Sequence, residues 1–252
     1  MRRLALGFAS LFACMSAHAQ TIDVTLLGTG DPTPRSDRFG PSTLVQAGGR
    51  TLLFDAGRGV MQRLYSLDIS TAEIDGIFLT HLHSDHVVGL VDLLMTGWVV
   101  DGRTAPLTVY GPVGTRAMME ALADAFSFDI AIRSDEAKRN PEGVRVDVIE
   151  IEEPFAWEAG GVHVSGFLVD HGPVRPAFGF RVDFANMAVA MSGDTRFSQA
   201  LIEQAAGVDV LIHEVAEAPQ RFKEERPSLP RLAHHTQAYD AGRVFSAAKP
   251  KL

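Results

Sequence analysis

Short apolar runs alternate with clusters of glycine, proline and polar residues along the chain, and the period of the apolar positions switches between two and about 3.6. Residues 22–27 (Ile-Asp-Val-Thr-Leu-Leu) alternate and then turn apolar, which predicts a first strand broken at Gly28-Thr29-Gly30. Residues 42–46 and 51–54 read as a hairpin turning at Gly48-Gly49. Ile77-Phe78-Leu79 is a short β-rich run, and 107–112, 144–151, 162–169, 178–184, 187–191 and 208–214 read as further strands. Helical spacing marks 60–67, 87–95, 114–126 and 238–248, while the charged stretch 135–143 predicts a solvated loop. Strands and helices alternate with antiparallel hairpins between them, which is an α/β pattern.

Composition adds bounds. A chain of 252 residues, 46% of them hydrophobic, builds one large core, and no linker or repeat divides it. The net charge of −8 argues against a nucleic-acid-binding surface, which leans on Lys and Arg. Arg2-Arg3, the apolar stretch 4–15 and Ala17-His18-Ala19 read as a secretory signal cleaved after Ala19. That leaves one domain, 20–252, in the periplasm or outside a bacterial cell. The apolar stretch is too short to span a bilayer well, so no stable membrane span is expected after cleavage. The single cysteine, Cys14, falls in the signal, so the mature chain has no disulfide and no thiolate ligand.

The chemistry concentrates at Thr80-His81-Leu82-His83-Ser84-Asp85-His86. Three imidazoles and a carboxylate lie within six residues, between a buried strand and a helix. His81 and His83 alternate on extended backbone and share a face, while Asp85 and His86 fall in the turn and can face a second ion. Imidazole nitrogen and carboxylate oxygen suit zinc, with manganese or iron as competitors. Asp170-His171-Gly172-Pro173 and Ser192-Gly193-Asp194-Thr195 repeat the strand-then-turn arrangement. Asp55, before Gly57, reads as a helix cap for 60–67.

The H-x-H-x-D-H run resembles the metal-binding signature of the metallo-β-lactamase superfamily. With Leu27-Gly28-Thr29-Gly30 and the segment around His234-His235-Thr236, it is most similar to the branch of ribonuclease Z, related phosphodiesterases and zinc-type arylsulfatases. The resemblance implies a four-layer αβ/βα sandwich and two zinc ions per chain. His81, His83 and His171 would hold one ion, Asp85 and His86 the other, and Asp194 would bridge them. Asp85 would also steer or accept the proton of the attacking water, and Asp55 would hold the metal-binding loop, a role of equal weight to the helix cap and compatible with it. His235 would protonate the leaving oxygen, oriented by Glu214, with His234 as the fallback acid.

Two departures shape the expectation. Relatives carry one more histidine on a strand after the last helix, whereas this chain stops at Leu252, which implies a domain missing its C-terminal strand. Members that process tRNA carry a long arm where only about a dozen residues separate Gly179 from Ser192 here. The expected activity is hydrolysis of a phosphodiester or sulfate ester of a small molecule. The export signal, acidic charge and missing arm argue against a nucleic-acid partner. The alternatives are tRNA 3′ processing of the ribonuclease Z type, and a metal-binding protein whose site has lost activity. Relatives often dimerise, so the resemblance also implies a homodimer.

Overall fold

The structure is a computed structural model that describes residues 20–217 and 230–252. The expected export segment, 1–19, lies outside the described residues. Two mixed sheets form its centre. In the first, β1 (Ile22–Gly28), β2 (Ser42–Ala47) and β3 (Arg50–Phe54) run antiparallel. They are continued in parallel by β4 (Gly76–Phe78), β5 (Leu107–Gly111) and β6 (Val146–Glu150). In the second, β7 (Phe155–Ala159), β8 (Val162–Leu168), β9 (Phe178–Phe184) and β10 (Met187–Met191) are antiparallel neighbours, and β11 (Val210–Ile212) runs parallel to β10.

Three apolar layers hold the sheets and helices together. Between the sheets, Phe78 stacks on Phe54 at 5.1 Å and on Tyr110 at 4.8 Å, with Phe180 and Val164 reaching from the second sheet. Outside the first sheet lie α1 (Val60–Tyr65), α2 (Ser84–Val87), α3 (Leu90–Val99) and α4 (Thr115–Ala125), whose Leu64, Leu93 and Met119 pack on Leu53 and Ile77. Outside the second lie α6 (Gln199–Gln204) and α7 (Ala238–Ala248), whose Leu201 and Val244 pack on Phe167 and Ala190. The layer order is therefore the expected αβ/βα sandwich.

Four elements differ from the sequence pattern. The expected helix 87–95 is broken into α2 and α3 at Gly89, whose N–H leaves the helical ladder to donate to the Ala56 carbonyl. A Cβ at Gly89 would sit 2.5 Å from the Gly57 oxygen, so only glycine permits this approach. A helix, α5 (Ser127–Asp135), occupies part of the stretch with no predicted element; none of its residues is fully buried and Ile130 alone packs on the core, so its core-facing stripe is a single residue. Strand β7 shows only Phe155 and Trp157 in alternation, and α6 is under two turns long. Past α7, Leu252 lies beside Val210 in parallel-strand fashion: its N–H donates to the Asp209 carbonyl (3.0 Å) and its carbonyl accepts from Leu211 N (2.9 Å).

Ser198 starts α6 directly after the loop that carries Asp194, and its buried hydroxyl accepts from Leu201 N at 3.2 Å. Loss of this cap in Ser198→Ala is expected to lower stability by about 1 kcal/mol. Urea denaturation would show it as a lower midpoint with an unchanged slope.

Candidate metal centre

Every residue of the centre sits where a strand ends. Asp55 follows β3, His81 to His86 follow β4, His171 follows β8, Asp194 follows β10 and His213-Glu214 follow β11. The two sheets present these ends on one edge, where Phe178 N donates to the Thr80 carbonyl (2.9 Å) and joins them. Glycines let the loops close up: a Cβ at Gly57 would meet the Asp85 carbonyl at 2.7 Å.

His81, His83, His171 and Asp194 each place one donor atom within 4.8 Å of the others. His81 Nε2 and His171 Nε2 lie 3.1 and 3.2 Å from His83 Nδ1, and each is 3.8 Å from Asp194 Oδ2. Tetrahedral ligation at about 2.0–2.1 Å separates donors by about 3.3–3.4 Å, so the histidine pairs stand close to that spacing, while Asp194 stands further out. The protonation pattern fits as well. Thr80 Oγ1 donates to Asp55 and so accepts from His81 Nδ1 (2.9 Å), and His171 Nδ1 donates to the His234 carbonyl (3.0 Å). Both Nε2 atoms are thereby left as lone pairs converging on one point, an arrangement that a cation stabilises. Burial, with His86 nearby, pushes the His81 pKa down to about 2, which holds the ring in its neutral, ligating form.

A second donor group shares Asp194. His86 Nε2 lies 3.4 Å from Asp194 Oδ2 and 3.8 Å from Asp85 Oδ2. His86 Nδ1 is held by Asp55 Oδ2 at 2.8 Å, and the other Asp55 oxygen accepts from Thr80 N at 2.8 Å. Burial works against a charged His86, but Asp55 and Asp194 outweigh it and raise the pKa. In the same way burial opposes ionisation of Asp194, yet His86 and His81 hold its pKa below the usual carboxylate range. Asp55 is therefore the support of the metal loop; the N-cap of α1 is Gly59, with no side-chain bond.

His235 stands beside both groups. Its Nδ1 lies 3.0 Å from Glu214 Oε1 and 3.8 Å from Asp194 Oδ2. Burial would lower its pKa, but the bond to Glu214 and the charge of Asp194 raise it. The same Glu214 oxygen accepts from Thr195 N (3.2 Å) and Thr236 N (3.0 Å), and Thr236 Oγ1 donates to the Thr195 carbonyl at 2.7 Å. The ring of His234 has no bond to Glu214, so the orienting contact belongs to His235. A cavity of about 650 Å³ opens over the site, lined by His83, Asp85, His86, Asp194 and His235, with Arg35 and Arg38 at its wall. Thr80, Thr195 and Thr236 escaped the sequence reading, since a threonine beside a ligand carries no signal of its own.

Two back-to-back mixed sheets with a histidine-rich donor cluster at their strand ends define a protein of the metallo-β-lactamase fold. Comparison with known proteins agrees. The sequence profile of the family described as Anti-Pycsar protein Apyc1 matches residues 22–232. Ribonuclease Z of Mycobacterium marinum is 42% identical over 196 residues, covering 77% of this chain and 70% of that protein. Among solved structures, the metallo-β-lactamase fold protein YhfI from Bacillus subtilis superposes with a TM-score of 0.70 at 20% identity, covering 91% of this chain and 83% of that one. The short form of human tRNase Z superposes with a TM-score of 0.67 at 24% identity, covering 92% and 90%. The chain belongs to the family of these ribonuclease Z proteins and to the one that the Apyc1 profile describes.

The relatives correct one expectation. A nucleic-acid partner was argued against on net charge and on the short β9–β10 hairpin, yet relatives of this similarity are ribonucleases. The physical reason is that net charge sums over the whole surface, whereas a phosphate meets one cleft, whose carboxylates Asp85 and Asp194 stand among the metal donors and whose wall also carries Arg38 and Arg35, the latter paired with Asp37 at 2.9 Å. Among the described residues, no helix is long and apolar enough to cross a membrane.

Proposed function

We propose that this chain is a metal-dependent phosphodiester hydrolase that acts on RNA. The observation that carries the reading is a pair of donor groups sharing Asp194, with His235 poised beside them. Divalent ions, zinc with manganese or iron as competitors, held by His81, His83, His171 and Asp194 and by Asp85, His86 and Asp194, would supply positive charge for the developing oxyanions and acidify a water. Asp85, on the cavity wall, takes the proton that the attacking water loses. His235, protonated and oriented through Nδ1 by Glu214, presents Nε2 to the leaving oxygen and gives it a proton. The expected segment 1–19 supports export of the mature chain, which concerns where the enzyme works and leaves this chemistry unchanged.

The test is turnover of a precursor tRNA carrying a 3′ extension, of bis(p-nitrophenyl) phosphate and of p-nitrophenyl sulfate, with and without a chelator. The expected result is cleavage of both phosphodiesters, abolished by chelation and restored by divalent cation. Turnover of the aryl diester with intact RNA overturns the RNA assignment. Turnover of the sulfate alone overturns the phosphodiester assignment. Full metal content with no turnover leaves a metal-binding protein with an inactive site.

A further inference from the structure

The mechanism above explains how the ring of His235 is held but not how its backbone is kept in place. On one side, Thr236 ties the segment to Glu214 and Thr195. On the other, the segment arrives through a 3₁₀ turn, Pro230–His234, which packs against the His171 loop. Arg196 spans the gap there. Its Nε donates to the Ala233 carbonyl at 2.6 Å, and its Nη1 lies 3.3 Å from Asp170 Oδ2. The other Asp170 oxygen accepts from Gly172 N at 2.9 Å, so Asp170 itself is fixed to the His171 turn.

We propose that Arg196 is a positioning residue for His235: its guanidinium clamps Ala233 to Asp170 and so sets the distance of the proton donor from the metal ligands. This rests on the reading of His235 as the acid. The clamp is separable from the scaffold under it. The Arg196 backbone N–H donates to the Asp170 carbonyl (2.8 Å), and Thr195 N still reaches Glu214, whatever side chain stands at 196. The guanidinium is half-exposed, as is Asp170, so its removal costs the fold little. Position is another matter, because a displacement of about 1 Å at a reacting group can cost about 100-fold in rate. An acid matters most where the leaving oxygen is a poor one. A ribose oxygen needs a proton, whereas p-nitrophenolate departs without one.

The experiment compares Arg196→Ala, Arg196→Lys, His235→Ala and the surface control Arg133→Ala, whose side chain pairs with Asp129 on α5, all as metal-loaded protein. Each is assayed for kcat and KM on precursor tRNA and on bis(p-nitrophenyl) phosphate, and for metal content. The expected result for Arg196→Ala is unchanged metal content, an unchanged KM and a loss of kcat on RNA about tenfold larger than on the aryl diester. Arg196→Lys, which can still donate to the Ala233 carbonyl, recovers most of that difference, and Arg133→Ala shows none. Equal losses on both substrates, a loss of metal, or no loss at all overturns the proposal. His235→Ala separates the two failures. If it too loses equally on both substrates, the acid assignment has failed; if it loses selectively on RNA while Arg196→Ala does not, only the clamp has failed.

Discussion

Asp194→Ala is expected to weaken metal binding at both donor groups, so that the chain no longer holds two ions, and to lower phosphodiester turnover by about 1,000-fold or more. Asp194 is the one residue common to both groups, at 3.4 Å from His86 and 3.8 Å from His81 and His171. Among the described residues it is also the only anionic donor grouped with the three histidines. Its removal leaves that group with neutral donors alone, which lowers the affinity for a divalent cation, and leaves the second with Asp85 and His86. Asp194→Asn keeps the shape and loses the charge, so it separates the two contributions. If the charge dominates, the asparagine variant resembles the alanine variant. Elemental analysis of the purified protein reads the metal directly, apart from any assay. Retention of two ions per chain by Asp194→Ala would sink the shared-ligand arrangement.

How far the sequence alone reaches depends on what each residue type signals. The ligand set stands out because histidine and aspartate cluster at points where apolar runs stop, and the fold places those points on one edge. The β2–β3 hairpin was readable from its turn at Gly48-Gly49, both at positive φ, and α7 from its apolar spacing, because it buries one face. Helix α5 has no fully buried residue and sets Ile130 alone against the core, too little for a stripe to be read. The break between α2 and α3 arises from a contact of Gly89 with Ala56 and Gly57, more than thirty residues away, which no local pattern carries. The partner was misjudged for a related reason. Charge was counted along the chain, whereas a substrate meets only the cleft wall.

The same distance effect left Asp55 open to two readings, since the contacts that decide between them lie 25 and 31 residues along the chain, and those contacts predict the second large outcome. Asp55 is buried and holds three donors of the metal loop: Thr80 N, Thr80 Oγ1 and His86 Nδ1, at 2.8, 2.9 and 2.8 Å. Its backbone is left-handed, with φ at 58°, a conformation that asparagine tolerates and alanine resists. Asp55→Ala orphans all three donors inside the protein and removes the carboxylate beside His86. Breaking a buried pair of this kind costs about 3–5 kcal/mol. Asp55→Asn keeps the backbone and can keep an acceptor for Thr80, so its loss of stability is smaller. What it loses is the charge opposite His86, and such supporting partners are worth about 10- to 100-fold in metal affinity. The two variants are thus expected to diverge. The alanine protein loses stability in metal-free denaturation, whereas the asparagine protein shows its defect chiefly in metal titration. If Asp55→Asn binds metal as tightly as the unmodified chain, the carboxylate does no more than fold the loop. If Asp55→Ala is as stable as the unmodified chain, the three hydrogen bonds do not hold it.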